Sequence, residues 1–199
     1  MFTALLETQR AAITILVFVG TFFLALTIGR FLKRRAGVRL QLELVGDEGG
    51  KPGDRETKKT VFEQIRQLGI EDTVVHHSFL PFRELLALAL RSHVFVAPSV
   101  TAEDGDSEGT PFVVQQMMAT GMPVIATRHS DNPYLFGEQA HLLVPERDSS
   151  KIANRLQHYA EDPQRLTVDG TALRGQICRD FDVRNCAVKS SDLYDAVRR

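Results

Sequence analysis

Tryptophan is absent from this sequence of 199 residues, and cysteine is limited to Cys178 and Cys186. The two cysteines form no Cys-x-x-Cys pair and have no histidine pair at zinc-binding spacing near them. This argues against a zinc site and against a disulfide scaffold, and it fits a reducing cytoplasm. A strong charge of either sign is also absent, because 24 basic residues face 25 acidic ones. The balance gives no broad attraction to nucleic acid or to an anionic membrane, so ligands must be recognised at local sites.

Charge is missing altogether from residues 11–29. This length is close to the roughly 20 apolar residues that cross a bilayer, and the basic cluster from Arg30 to Arg35 would leave the bulk of the chain in the cytoplasm. The alternative is a buried strand from Ala11 to Val19 that ends at Gly20, followed by a soluble helix. We therefore set residues 1–20 apart as an atypical apolar segment and assign residues 21–199 to one domain.

From residue 38 onward, strand-like and helical segments alternate. The predicted strands cover residues 38–45, 73–77, 93–97, 123–127 and, briefly, 142–144. The predicted helices cover residues 55–68, a segment opened by Pro81, and residues 110–120, 149–159, 163–179 and 183–199. Strands that alternate with helices and are apolar on both faces predict an α/β fold with a doubly wound, Rossmann-like parallel sheet, here followed by C-terminal helices.

Ligands of such sheets bind outside the carboxyl ends of the strands, which directs attention to the loop of residues 98–111. Gly109 lets a ligand approach the backbone there, and the amides of Thr110, Phe112 and Val113 are free at a helix start. Free amides and the helix dipole suit a phosphate or diphosphate. Glu108 suits sugar hydroxyls instead, and a phosphate together with a polyol indicates a nucleotide sugar.

The same loop has simpler interpretations. Asp104 and Asp106 could form an Asp-x-Asp metal motif or begin a calcium loop, although the twelfth calcium position is Gln115 rather than Glu. A solvated acidic loop explains these residues without a metal, and we expect neither a metal nor a cofactor. Glu108 could be a plain helix-start carboxylate.

Several motifs in this region together resemble the C-terminal, donor-binding domain of family 4 glycosyltransferases, which are retaining enzymes with two Rossmann-like domains. The motifs are Glu108-Gly109-Thr110-Pro111, Gln116 and Ala119-Thr120-Gly121-Met122-Pro123-Val124. Flanking landmarks are Leu44-Val45-Gly46-Asp47, Val94-Phe95-Val96-Ala97-Pro98-Ser99 and Leu143-Val144-Pro145-Glu146-Arg147-Asp148. The resemblance covers residues 21–195 and is strongest to the exopolysaccharide and colanic-acid branch.

The resemblance implies a role for each matching residue. Glu108 would hold the donor sugar, and Gln116, which replaces the usual Glu, would bind the ribose. The nucleobase would lie against the loop of Ser78, Phe79 and Leu80, where Ser78 replaces a common Gly. The sugar and the diphosphate would be bound by Gly109, Thr110, Pro111, Phe112 and Val113.

The family reacts in a cleft between two domains, and this chain offers one of them. The expected partners are a nucleotide-sugar donor and a separate N-terminal, acceptor-binding domain or chain, without which the chain is expected to be inactive. Residues 13–20 also lack the Arg and Lys that the family brings to the diphosphate, and Asp131-Asn132-Pro133-Tyr134 replaces a common Gly-Ile-Pro-Glu. The alternative is a non-catalytic, membrane-tethered module that keeps the fold.

The remaining chemistry-bearing side chains are expected to be structural. His76 and His77 would point to opposite faces of a strand, and none of the other histidines (His93, His129, His141 and His158) has metal-ligand spacing on a common helix. Met117 and Met118 are expected to fill the core.

Overall fold

The computed structural model describes residues 12–18, 39–47, 53–102, 105, 107 and 109–198. Five parallel strands form one sheet in the order β3-β2-β1-β4-β5. The strands are β1 (Ala12–Phe18), β2 (Arg39–Val45), β3 (Val74–His77), β4 (Val94–Ala97) and β5 (Val124–Ala126). This is the doubly wound, Rossmann-like α/β fold that the alternation of strands and helices predicts.

Seven α-helices accompany the sheet in the described residues. They are α1 (Asp54–Leu68), α2 (Phe82–Arg91), α3 (Phe112–Thr120), α4 (Asn132–Phe136), α5 (Ser149–Glu161), α6 (Gln164–Asp180) and α7 (Val183–Val197). Two short 3-10 helices cover Glu71–Thr73 and Gly137–Leu142. The last three helices confirm the predicted helical C-terminal region.

Strand β1 lies in the middle of the sheet, although it comes from the apolar segment 1–20. It pairs along its whole length with β2 and also with β4, for example Ile15 with Val94. Ala12–Phe18 is thus a strand, as the buried-strand alternative for this part of the segment predicts. We therefore propose that the domain includes β1 and begins at or before Ala12, rather than at residue 21. Residues 19–38 lie outside the described residues, and no described helix is long and apolar enough to span a bilayer.

The two faces of the sheet carry separate cores. On one face, α1 and α5 cover the strands with buried side chains such as Ile65 and Leu156. On the other face, α2, α3, α4 and α6 pack over Phe95 and Val124, and Met117 and Met118 are buried there as expected. Because both faces are covered, the strands need apolar residues in succession, which is why β4 is buried at all four positions.

The predicted strand over residues 142–144 is wrong. Leu142 ends a 3-10 helix, and only Val144 bridges the sheet, through Thr127. Pro145 follows directly and has no N–H group, so it cannot donate to a continued ladder. This segment is therefore a single bridge at the edge of β5.

Candidate functional site

The candidate site lies where the strand order reverses. From β1 the chain runs outward through β2 to β3, and it then returns to place β4 on the other side of β1. The carboxyl ends of neighbouring strands diverge there, which opens the crevice in which doubly wound sheets bind ligands. The loop that follows β4 leaves this point and leads to helix α3.

The amino end of α3 is open. Pro111 stands at the N-cap, so the helix begins at Phe112 rather than at residue 110, and no side chain caps it. The Pro111 carbonyl accepts from the amides of Val114, at 3.1 Å, and Gln115, at 3.3 Å. The amides of Phe112 and Val113 come before that first turn and have no helical acceptor. This end of α3 therefore presents unpaired N–H groups and the positive end of the helix dipole.

The residues predicted to contact a donor lie around that helix end. Gly109 is exposed, and a Cβ added there would meet no atom within 4 Å, so its backbone is open to approach. Phe112 is 77% exposed, and Gln116 is exposed one turn later on the same helix. Pro111 is buried and Val113 is half-buried, so these two support the turn. Glu108 lies outside the described residues, as do Glu103, Asp104 and Asp106.

The predicted nucleobase loop leaves the same edge of the sheet from β3. Ser78 is exposed, Phe79 is 71% exposed, and Leu80 packs against the core. The Gly46 amide donates to the carbonyls of His77, at 3.0 Å, and Ser78, at 3.2 Å. β3 and β4 are three strand spacings apart in the sheet, or about 14 Å at about 4.8 Å each. The two predicted subsites thus leave the same edge of the sheet three strand spacings apart.

No local pattern in the sequence indicates the hydrogen-bond network that holds the loop after β4 in place. The Thr101 amide donates to Glu146 Oε2 at 2.9 Å, and the Arg147 guanidinium donates to the Thr101 carbonyl at 2.8 Å. His129 Nδ1, 2% exposed, lies 2.8 Å from Glu146 Oε1. Thr127 Oγ1 donates to the Ser99 carbonyl at 2.5 Å. Three of these pairs tie residues 99–101 to the turns after β5 and Val144, and the pair of His129 and Glu146 joins those two turns to each other.

The ionisation of Glu146 follows from this network. Partial burial opposes its charge, but hydrogen bonds from the Thr101 amide and from His129 outweigh that effect and lower the pKa of Glu146. A carboxylate only accepts hydrogen bonds, so His129 Nδ1 carries the proton between them.

Farther along the loop, the Thr110 hydroxyl donates to Asp131, the residue that precedes α4. Asp131, one of the residues that depart from the family pattern, therefore anchors the loop.

A second buried pair supports the loop of Ser78 to Leu80. Glu43 in β2 is 4% exposed, and its Oε2 lies 2.6 Å from His77 Nε2, while its Oε1 accepts from Gln41 at 2.7 Å. His76 points to the other face, where its ring packs edge-on against Phe62. The prediction that the two histidines occupy opposite faces is confirmed. His141 and His158 are exposed, and the described residues contain no group of three or more metal-ligating side chains.

Comparisons with known proteins give the fold and the family. The chain is 37% identical over 120 residues to a colanic acid biosynthesis glycosyltransferase of Escherichia coli, a match that covers 59% of this chain and 30% of that protein. The structure resembles Anabaena HepE in complex with UDP, with a TM-score of 0.78, 19% identity, and coverage of 98% of this chain and 51% of HepE.

It also resembles the C-terminal domain of a group 1 glycosyl transferase (LpcC) from Francisella tularensis, with a TM-score of 0.70, 18% identity and coverage of 87% of each chain. At these identities the structural likenesses concern the fold alone. The chain spans about a third of the length of its E. coli relative. Residues 15–169, most of the chain, match the family described as glycosyl transferases group 1, and this protein therefore belongs to that family.

Proposed function

We propose that this chain is the donor-binding part of a glycosyltransferase of exopolysaccharide biosynthesis, and that it binds a nucleoside-diphosphate sugar. The observation that carries this proposal is the uncapped amino end of α3 at the point where the strand order reverses. A helix end of this kind binds anions, and the strand reversal provides the crevice. The colanic acid relative supports the pathway class.

The parts of the ligand can be assigned to the described residues. The diphosphate would lie against the amides of Phe112 and Val113, with the exposed backbone of Gly109 allowing close approach. The ribose would lie against the exposed amide side chain of Gln116, which can both donate and accept hydrogen bonds. Glu108 is proposed to hold the sugar hydroxyls.

The base would lie against the loop of Ser78, Phe79 and Leu80. The exposed ring of Phe79 offers an apolar surface that a base can cover, and the pair of His77 and Glu43 holds the start of this loop in place. The separation of the two loops along the sheet edge matches an extended ligand that has its base at one end and its sugar at the other.

The diphosphate site is proposed to work without a metal ion. Helix-terminal amides with the helix dipole supply the positive potential that a cation would otherwise provide. Isothermal titration calorimetry of the folded chain with UDP, GDP and ADP, each with and without EDTA, tests this. We expect at least one nucleotide to bind with an affinity that EDTA leaves unchanged. Absence of binding by all three nucleotides would refute the donor site, and loss of binding in EDTA would refute the metal-free site alone.

A further inference from the structure

A pocket of about 390 Å³ opens at the opposite edge of the sheet from the candidate site. Its wall includes residues 90–93, which lead into the start of β4, and Pro123, which comes just before β5. Parallel strands all begin at one edge and end at the other, so this pocket is separated from the crevice by the whole length of the strands. Its volume lies within the range of about 300 to 1,000 Å³ that is typical of small-molecule pockets.

The charged side chains of the pocket are all basic. They are Arg91 and Arg174; His93 also lines the pocket, and among the described residues no Asp or Glu does. Arg91 and Arg174 are exposed, and neither makes an ion pair or a hydrogen bond with the part of the chain that the structure describes. Burial lowers the pKa of His93, which keeps its ring neutral near neutral pH, so the two arginines supply the charge.

The neighbouring helices do not cancel this charge. α2 and α3 end at the pocket, and their carboxyl ends carry partial negative charge. Arg91 stands in the last turn of α2 and offsets the dipole of its own helix. Arg174 comes from the middle of α6, and the first turn of that helix, without a side-chain cap, also borders the pocket. A positive excess therefore remains on the α6 side.

Apolar side chains complete the wall. Leu90 is 54% exposed although it is a large apolar residue, and Leu166 and Pro123 lie on the same wall. The stem of Arg174 runs beside Gly121, where a Cβ would lie in ordinary van der Waals contact, 3.7 Å from Arg174 Cδ. The pocket thus joins apolar walls to free guanidinium groups.

We propose that this pocket binds an anionic amphiphile, a phosphate or carboxylate joined to an apolar chain, with its head group at Arg174 and Arg91 and its chain against Leu90 and Leu166. Guanidinium groups bind phosphates and carboxylates through paired hydrogen bonds, and apolar walls favour the attached chain. The proposal does not depend on the donor site, which lies at the other edge of the sheet.

Calorimetry with octyl phosphate below its critical micelle concentration tests the pocket. We expect saturable binding to the full chain, at least tenfold tighter than the binding of octyl glucoside or of inorganic phosphate. Each of these lacks one half of the proposed ligand. Equal affinity for octyl phosphate and octyl glucoside, or no saturable binding of octyl phosphate, would overturn the proposal.

Variants assign the binding to this pocket. Arg174→Ala should weaken the binding of octyl phosphate at least tenfold. Thr171→Phe should also weaken this binding, because the larger side chain would fill the pocket that Thr171 lines. Arg83→Ala is the matched control, because Arg83 is an exposed arginine at the other end of α2, outside the pocket. Thermal unfolding confirms that each variant is folded, and unchanged binding by both pocket variants would overturn the proposal.

The source of the head group is decided with vesicles of phosphatidylglycerol and phosphatidylcholine. If the chain floats with the anionic vesicles and Arg174→Ala abolishes this flotation, the ligand is a membrane lipid. Octyl phosphate binding without flotation would assign it to a free amphiphile. UDP should leave octyl phosphate affinity unchanged, and displacement by UDP would place the octyl phosphate at the donor site and refute the pocket.

Discussion

At the residue scale, Glu146 joins two loops that lie far apart in sequence. Its carboxylate accepts from the Thr101 amide and from His129, which is almost fully buried. Removing Glu146 would leave the buried His129 N–H group without its acceptor, and such a loss costs about 1 to 3 kcal/mol. The stability of the loop after β4 should therefore depend on this one side chain.

We expect Glu146→Ala to lower the free energy of unfolding by about 1 to 3 kcal/mol at neutral pH. The folded-state pKa of Glu146 is below its ordinary value of 4.5, so its contribution is present above that value and is lost as the pH falls through the folded-state pKa. Urea denaturation of both proteins, at neutral pH and at pH values stepped down below 4.5, should show a difference that shrinks only below 4.5. Glu138→Ala, an exposed glutamate outside the network, is the control. A difference that is independent of pH would contradict the assigned ionisation.

Glu108 provides the test of the sugar subsite. Glu108→Ala should weaken the binding of UDP-glucose more than the binding of UDP, because the carboxylate is proposed to hold sugar hydroxyls rather than phosphate. The loss of a charged hydrogen bond corresponds to about 1.5 to 3 kcal/mol in the affinity for UDP-glucose. Calorimetry with both ligands measures the two losses, with Glu103→Ala in the same loop as the control. Equal losses of affinity for the two ligands would show that Glu108 does not contact the sugar.

At the element scale, helix α6 packs against the chain turn that follows α3. A Cβ on Gly170 would overlap the Gly121 carbonyl oxygen and would lie 3.3 Å from Pro123 Cδ. Backbone atoms cannot rotate away as a side chain can, so the two elements would have to separate. Glycine at position 170 is what allows this close approach.

Gly170→Ala should therefore destabilise the fold by about 1 to 3 kcal/mol through overpacking. Gly175→Ala on the same helix is the matched control, because a Cβ there meets nothing within 4 Å. In the control variant, the free energy of unfolding should rise by about 0.5 to 1 kcal/mol from helix propensity alone. Thermal or urea unfolding measures both. If Gly170→Ala is as stable as Gly175→Ala, the contact between α6 and the turn after α3 is not tight.

Periodicity predicted the elements that have a clear pattern, and it failed where the pattern is uniform. Helices α1 and α5 lie within two residues of their predicted bounds because apolar and charged positions alternate clearly along them. Residues 11–29 have no charge to set a period, so a membrane span and a strand could not be separated by pattern. The pairing with β2 and β4 shows that residues 12–18 form a strand.

The candidate site was also predictable only in part, because local sequence patterns indicate some of its features and contacts between distant residues determine the others. The glycine and proline around position 110 mark a helix start, and the resemblance to a family gave the residues a role. The pairs Glu146 with His129 and Glu43 with His77 are 17 and 34 positions apart. Contacts of this kind depend on the register of the sheet, which no local pattern in a single sequence contains.

At the scale of the whole molecule, the chain presents one wall of a crevice. It matches 30% of the length of its E. coli relative, and the candidate donor residues that the structure describes lie along one edge of the sheet. Glycosyl transfer needs the donor and the acceptor held together while water is excluded. We therefore propose that a further domain or chain supplies the acceptor side.

The purified chain should accordingly bind a nucleotide but transfer no sugar. Holding two reactants in one site can supply about 7 to 11 kcal/mol of the barrier, and a surface that binds the donor alone cannot provide that contribution. Mass spectrometry after incubation with UDP-glucose and a panel of acceptor sugars should find no glycosylated product, while calorimetry on the same preparation shows nucleotide binding. Slow release of free UDP is compatible with this, because hydrolysis needs only water as the acceptor. A glycosylated product formed by the chain alone, and lost in Glu108→Ala, would mean that a second copy of this chain completes the site.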